Sequence, residues 1–165
     1  MKNNLHIITG NKGFVGLNLT TYLSKVNKPF IGVSRNPNDN EISYTSLSFE
    51  DFNKAKSCIH LAGKAHDLKK TSEDQEYFEV NTELTKKLFD RFLESECEIF
   101  MYMSSVKAAA DEVDGVLTED VTPNPVTVYG KSKLAAENYI LSKEIPQGKR
   151  VYILRPCMIH GPNNK

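Results

Sequence analysis

Eight residues near the start, Thr9-Gly10-Asn11-Lys12-Gly13-Phe14-Val15-Gly16, constrain this chain more than any others. They stand between an apolar run, Leu5–Thr9, and a stretch of helical periodicity, Phe14–Lys25. A strand that feeds a helix through three spaced glycines must turn sharply and then pack tightly. Gly10 permits the turn out of the strand, and Gly13 lets the backbone approach a bound pyrophosphate. Gly16 lets the helix lie close to the sheet. Unpartnered N–H groups at the helix start, helped by the helix dipole, would face the phosphates. Residues 10–16, with Asn11, Phe14 and Val15 between the glycines, are therefore a candidate dinucleotide site. Glycine spacing alone is weak evidence; the strand before it and the helix after it give it weight. The competing reading is a purely structural turn.

The rest of the chain alternates in the same way. Strands are expected at Leu5–Thr9, Pro29–Val33, Ile42–Leu47, Ser57–Ala62, Glu98–Ser104 and Arg150–Arg155. Helices are expected at Phe14–Lys25, Phe49–Lys54, Glu76–Ser95 and Val128–Lys143. Alternation of this kind builds right-handed βαβ units. The expected fold is α/β, a doubly wound parallel sheet of about six strands with helices on both faces. The length of 165 residues suits one domain. Ser57–Ala62 and Ile99–Met103 are nearly continuous in apolar residues, as central parallel strands are. In Glu76–Ser95, Tyr77, Leu84, Leu88 and Phe92 recur at helical spacing, and Asn81 falls within their stripe. A buried Asn needs partners, either in a structural tie or in a site. Residues 106–126 are acidic and lack periodicity, which is expected of a long loop at the carboxyl edge of the sheet.

Composition narrows the function classes. No apolar run approaches the ~20 residues of a membrane helix. MKNNLHIITG runs straight into the glycine turn and reads as a first strand, not a signal peptide. The zero net charge hides a split. Residues 1–38 hold five Lys/Arg and no Asp/Glu, and residues 126–165 hold seven against two. Residues 39–125 hold nine against nineteen. The lysines are scattered and not clustered in a stripe, so no nucleic-acid partner is expected. If the two basic ends meet, they favour a pocket for a small anion. Cys58, Cys97 and Cys157 lie far apart and are odd in number, which suits free thiols in a reducing, cytoplasmic setting. His6, His60, His66 and His160 lack metal-ligand spacing, and no metal is expected.

Two further places carry chemistry. An acidic residue ending the second strand would bind the ribose 2′-hydroxyl of NAD. This chain has Ser34-Arg35-Asn36 there, and Arg35 can pair with a 2′-phosphate, which tilts the expectation toward NADP. Tyr129 and Lys133, four residues apart, share a helix face. A cation within reach lowers the pKa of a tyrosine by about 1–3 units, so Lys133 alone leaves Tyr129 mostly protonated at neutral pH. A tyrosine so poised can exchange a proton with a sugar hydroxyl while hydride moves. The strand Ile99–Met103 runs into Ser104-Ser105, whose hydroxyls can position a substrate oxygen and Tyr129. Glycine turn, strand-end serine and Tyr/Lys helix occur in this order on suitable elements.

With these pieces in place, the sequence resembles the extended short-chain dehydrogenase/reductase family of nucleotide-sugar epimerases, dehydratases and reductases. The matching segments are TGNKGFVG (9–16), HLAG (60–63), YFEVN (77–81), MSSVK (103–107), YGKSKLAAE (129–137) and LRPCMIHGP (154–162). The resemblance implies a Rossmann sheet with NAD or NADP across its carboxyl edge. It implies that Gly10, Gly13 and Gly16 hold the pyrophosphate. Leu61, Ala62, Gly63 and Lys64 would line the nicotinamide ribose side, with Asn81 beside the cofactor. Ser105 aligns with the catalytic Ser/Thr, with Ser104 as the alternative. Tyr129 and Lys133 match the acid/base tyrosine and the lysine that also holds the nicotinamide ribose. Pro156 and Cys157 fall where the family meets the nicotinamide amide.

The SSVK turn and the YGKSK stretch look closest to enzymes acting on UDP-N-acetylhexosamines in cell-surface polysaccharide synthesis. The resemblance makes a UDP-sugar the expected substrate, with hydride transfer at C4. It also makes a homodimer through Glu76–Ser95 and Val128–Lys143 plausible. Ala108-Ala109-Ala110 departs from the usual turn after the serine strand, and no Asp stands near Leu47-Ser48. Relatives continue past LRPCMIHGPNNK into a substrate-binding part, so the chain reads as the cofactor-binding front of a larger enzyme. The rival is a non-catalytic nucleotide-binding or sensor protein on the same fold. The Tyr/Lys pair speaks against it, and the short chain speaks for it.

Overall fold

A computed structural model describes residues 4–64, 73–113 and 115–162 of the chain. His66 and the first and last three residues lie outside the described residues. Six strands form one sheet: β1 (His6–Thr9), β2 (Phe30–Ser34), β3 (Glu41–Ser43), β4 (Ser57–His60), β5 (Ile99–Met103) and β6 (Arg150–Leu154). Their order is β3-β2-β1-β4-β5-β6, and every pair is parallel. This is the doubly wound order. The sheet winds outward in both directions from β1 and β4. At that switch point the exiting loops part and leave a crevice at the carboxyl edge.

Helix α1 (Phe14–Lys25) joins β1 to β2. Helix α2 (Phe49–Lys54) starts with a capping box, in which Ser48 and Asp51 satisfy each other's backbone N–H groups. Three further helices follow, α3 (Asp74–Phe78), α4 (Leu84–Glu94) and α5 (Val128–Leu141). Phe89, Phe92 and Phe100 stack in one cluster with Leu88, Ile7, Cys58, Ala136 and Ile140, joining β1, β4 and β5 to α4 and α5. Val151 and Ile153 of β6 pack against that core, while Tyr152 and Leu154 remain exposed on the other face.

Three expectations changed on folding. The strand foreseen at Ile42–Leu47 stops at Ser43. Ser43 Oγ lies 2.8 Å from both Thr45 Oγ1 and Ser46 Oγ, and Leu47 N bonds Ser43 O at 3.0 Å. These local bonds favour a turn over further ladder pairing. The helix foreseen at Glu76–Ser95 begins at Asp74 and carries a π-turn at Glu79–Glu83. The acidic stretch 106–126 is partly tied down. It opens with a 3₁₀ turn, Val106–Ala108, and Asp111 accepts the N–H groups of Val126 and Thr127 and the Thr127 hydroxyl. Thr127 in turn caps α5.

Candidate active site

A cleft of about 540 Å³ runs along the carboxyl edge, lined by Gly10, Lys12, Gly13, Ser34, Arg35, Tyr44 and the segment Leu61–Lys64. Its floor is the glycine turn. Gly10 has φ +69°, and a β-carbon there would lie 2.6 Å from Ala62 N. Gly16 lies beneath the turn and not in the cleft, where a β-carbon would come 2.2 Å from Gly10 O. No side chain caps the start of α1, and its first turn holds no acidic residue. That open, positively polarised end suits an anion. The residues present therefore fit a dinucleotide pyrophosphate.

Asn11 is not among the residues that line the cleft. Its side chain turns away from the cleft and packs over Gly32, where Nδ2 donates to Glu41 Oε1 at 2.5 Å. Glu41 was missed by the sequence reading. It also accepts from Ser34 Oγ at 3.2 Å and Asn38 N at 3.1 Å, and it pairs with Lys12 at 3.0 Å. Burial would raise the Glu41 carboxyl, but these donors outweigh it and leave the group below its usual range. Lys12 also donates to the Asn36 carbonyl. Arg35 lines the cleft beside these groups. Tyr44, expected in a strand, instead lines the cleft through the turn that replaced it.

At the other end, Leu61–Lys64 crosses toward α5. Asn81 ties the two together. Lys64 N donates to Asn81 Oδ1 at 2.8 Å, and Asn81 Nδ2 donates to Lys64 O and to Ser132 Oγ at 3.1 and 3.0 Å. Asn81 sits in the π-turn, whose widened ladder leaves its carbonyl to accept the Thr85 hydroxyl at 2.7 Å. Beneath it, His60 is wholly buried between Thr9 Oγ1 at 2.6 Å and Thr85 Oγ1 at 2.9 Å. Burial, with nearby Lys133 second, pushes its imidazole down to about 3.

Ser105, Tyr129 and Lys133 meet at the same edge. Tyr129 shares a hydrogen bond with Ser105, and Tyr77 meets its ring edge-on at 6.4 Å between centroids. Lys133 Nζ donates to Met103 O at 2.9 Å and stands 4.9 Å from the centre of the Tyr102 ring. Burial brings Lys133 down to about 8, with Glu137 opposing the shift. The expectation that Lys133 would draw the Tyr129 phenol down does not describe this arrangement. Burial raises Tyr129, and the Ser105 bond is the opposing influence. The two serines also separate in role, because Ser104 Oγ donates to the Glu137 carboxylate on the inner side.

Pro156 and Cys157 stand off the cleft lining. Pro156 O accepts Val106 N at 3.1 Å, which joins it to the serine turn, and Cys157 is exposed. Phe14 and Val15 are half-buried in the first turn of α1. Among the described residues no group of three His, Cys, Asp or Glu could hold a metal ion, and no helix is long and apolar enough to cross a membrane.

Comparison with known proteins agrees with this fold. The profile of the "NAD dependent epimerase/dehydratase family" matches residues 6–165. The chain is 29% identical over 177 residues to a UDP-glucose 4-epimerase of Vibrio cholerae. It is 28% identical over 161 residues to a GDP-6-deoxy-D-mannose reductase of Pseudomonas aeruginosa. Each match covers 96% of this chain and 53% of the relative, so the chain spans about half the length of these relatives. The solved structure of MoeE5 in complex with UDP-glucuronic acid and NAD superposes with a TM-score of 0.75 at 26% identity, over 90% of this chain and 52% of that one.

Proposed function

This chain belongs to the NAD-dependent epimerase/dehydratase family, and on that footing we propose that it is the cofactor-binding portion of a nucleotide-sugar epimerase or reductase. The observation that carries the reading is a cleft floored by the glycine turn, whose Leu61–Lys64 wall brings Gly63 against the Lys133 ammonium, on the helix that also carries Tyr129 beside Ser105. Similarity to proteins that act on UDP-glucose, or were solved with a UDP-sugar and NAD, supports a UDP-sugar as substrate. The motif resemblance to enzymes of UDP-N-acetylhexosamines supports a place in cell-surface polysaccharide synthesis, and the free thiols Cys58 and Cys97 suit the cytoplasm.

The bound dinucleotide supplies hydride acceptance and donation. The chain's own residues do the rest. Gly10, Gly13 and the first turn of α1 receive the pyrophosphate. Arg35 at the adenosine end favours a 2′-phosphate, while Glu41 beside Lys12 partly offsets that charge. Gly63 leaves room for the nicotinamide ribose next to the Lys133 ammonium. Tyr129 exchanges a proton with the sugar C4 hydroxyl, a contribution of roughly 10²–10⁴-fold. Ser105 holds the same oxygen and orients the phenol. Raised by burial, Tyr129 starts as a phenol, which suits proton donation during ketone reduction. The positive charge of an oxidised nicotinamide would favour its ionised form in the reverse direction.

Calorimetric titration with NADH and NADPH, followed by turnover of UDP-4-keto sugars by wild type and Tyr129→Phe, tests the proposal. Dinucleotide binding with a loss of turnover of at least about a hundredfold in Tyr129→Phe is the expected result. Equal, measurable turnover in both proteins removes Tyr129 from the role. Absence of binding by either nucleotide removes the reading altogether.

A further inference from the structure

Beyond the groups given roles above, one carboxylate among the described residues is buried completely. Glu137 stands on α5 one turn beyond Lys133, and its side chain is 1% exposed. A carboxylate so placed stays ionised only if it is paired and hydrogen-bonded. Three donors meet it. Ser104 Oγ donates to Oε1. Arg155 Nε lies 3.0 Å from Oε1 and 3.1 Å from Oε2, and Arg155 Nη2 also reaches Oε2. This is the two-pronged arginine–carboxylate geometry, the strongest ion-pair arrangement available to side chains.

Each partner stands at a position that matters for the site. Ser104 immediately precedes Ser105 at the exit of β5. Arg155 is the first residue after β6, and the next residue, Pro156, accepts Val106 N from the serine turn. Further hydrogen bonds run through the same spot, with Ser104 N donating to Leu154 O at 2.7 Å and the Lys133 side chain donating through Nζ to Met103 O at 2.9 Å. One carboxylate thus joins α5 to the exits of β5 and β6, directly behind Tyr129 and Lys133.

We propose that Glu137 is a positioning residue: by holding Ser104 and Arg155 it fixes the exit of β5 so that Ser105 meets Tyr129, and it serves as countercharge to the buried ammonium of Lys133. The proposal rests on the reading of Ser105, Tyr129 and Lys133 given above. Successive side chains on an extended segment point to opposite sides, so a slip of one residue would exchange Ser104 for Ser105. Engaging the Ser104 hydroxyl on the inner side specifies the register. Among the described residues the titratable groups around Lys133 are few. Glu137 and Tyr129 belong to its own helix, Tyr102 faces it from β5, His60 from β4, and Arg155 lies beyond Glu137 from the end of β6. Burial keeps His60 and Tyr102 uncharged near neutral pH. Glu137 is the anion among these groups, and at i, i+4 it shares the helix face of Lys133.

The test uses the full chain labelled with ¹³C at the lysine ε-carbons and tyrosine rings. Lys133→Met and Tyr129→Phe assign the two signals. In folded Glu137→Gln, which keeps the shape and a bond to Ser104, the Lys133 titration midpoint should fall by about one pH unit or more. The Ser105–Tyr129 cross-peaks should weaken in the same variant. Ser104→Ala, which keeps the ion pair, should leave the Lys133 midpoint in place. An unchanged midpoint with intact Ser105–Tyr129 contacts in Glu137→Gln overturns the proposal. So does an equal shift in Ser104→Ala. If Glu137→Gln does not fold, Glu137→Met with Arg155→Met replaces the pair by apolar groups and is read in the same way. These signals do not depend on turnover. Failure of dinucleotide binding would therefore sink the functional reading without deciding the role of Glu137.

Discussion

Gly63 and Lys133 stand so close that a β-carbon on the glycine would lie 3.0 Å from the lysine Nζ and 3.1 Å from Asn81 Oδ1. The segment Leu61–Lys64 and the helix of Tyr129 are thus held against each other through one missing side chain. Gly63→Ala can be accommodated only if the ammonium gives way. The variant should fold, because Lys133 ends in a flexible chain, and should bind NADH about tenfold more weakly, near 1.4 kcal/mol. Calorimetric titration of both proteins measures this. Undiminished affinity would show that Lys133 does not face the cofactor.

The three glycines of the first turn should differ sharply when substituted. A β-carbon on Gly16 would lie 2.2 Å from Gly10 O, and the obstacle is backbone. Gly16→Ala should destabilise the fold by about 1–3 kcal/mol, as overpacking does. At Gly13 the nearest atom would be 3.2 Å away, again Gly10 O. Gly13→Ala should cost less stability than Gly16→Ala and still impair dinucleotide binding. Urea unfolding and nucleotide titration of the two variants give the comparison.

His60 ties acid stability to the floor of the site. Its folded pKa is pushed down to about 3 from 6.5 by burial. Between those values the unfolded chain binds more protons, so this contribution is present above pH 6.5 and is lost as pH falls toward 3. At pH 5 the loss should be about 2 kcal/mol relative to pH 7.5. Urea unfolding of wild type at the two pH values should show it, and His60→Gln should lack this part of the slope. An imidazole signal for His60 that titrates near 6.5 in the folded protein would refute the assignment.

Cofactor choice turns on Arg35. If it pairs with a 2′-phosphate, Arg35→Ala should weaken NADPH about tenfold or more and leave NADH nearly unchanged. Equal losses for both nucleotides would place Arg35 on a phosphate common to the two. No loss for either would leave it a solvent-exposed cation.

Much of this architecture was legible in the linear pattern. The apolar runs and helical stretches mark where the sheet and helices lie, and the glycine turn shows where the first strand ends. The errors came where local polar chemistry competed with periodicity. Ser43, Thr45 and Ser46 satisfy one another in a turn, and the apolar pattern of Ile42–Leu47 carries no sign of that. The π-turn around Asn81 has no hydrophobic signature either, because the stripe resumes on its far side.

The alternation of strands and helices, the parallel sheet and the candidates Tyr129, Lys133 and the serine pair Ser104-Ser105 can all be read along the chain. Those features rest on periodicity and short spacings, which depend on neighbours along the chain. Which serine faces Tyr129, which way Asn11 turns, and where Glu41, His60 and Glu137 sit become visible only in the fold. Asn81 and Ser132 are 51 residues apart in sequence, and Thr9 and His60 are also 51 apart. A hydrogen bond over such a span exists only after the sheet has brought both partners to one edge. Burial then sets its strength, and burial belongs to the folded whole and not to any segment.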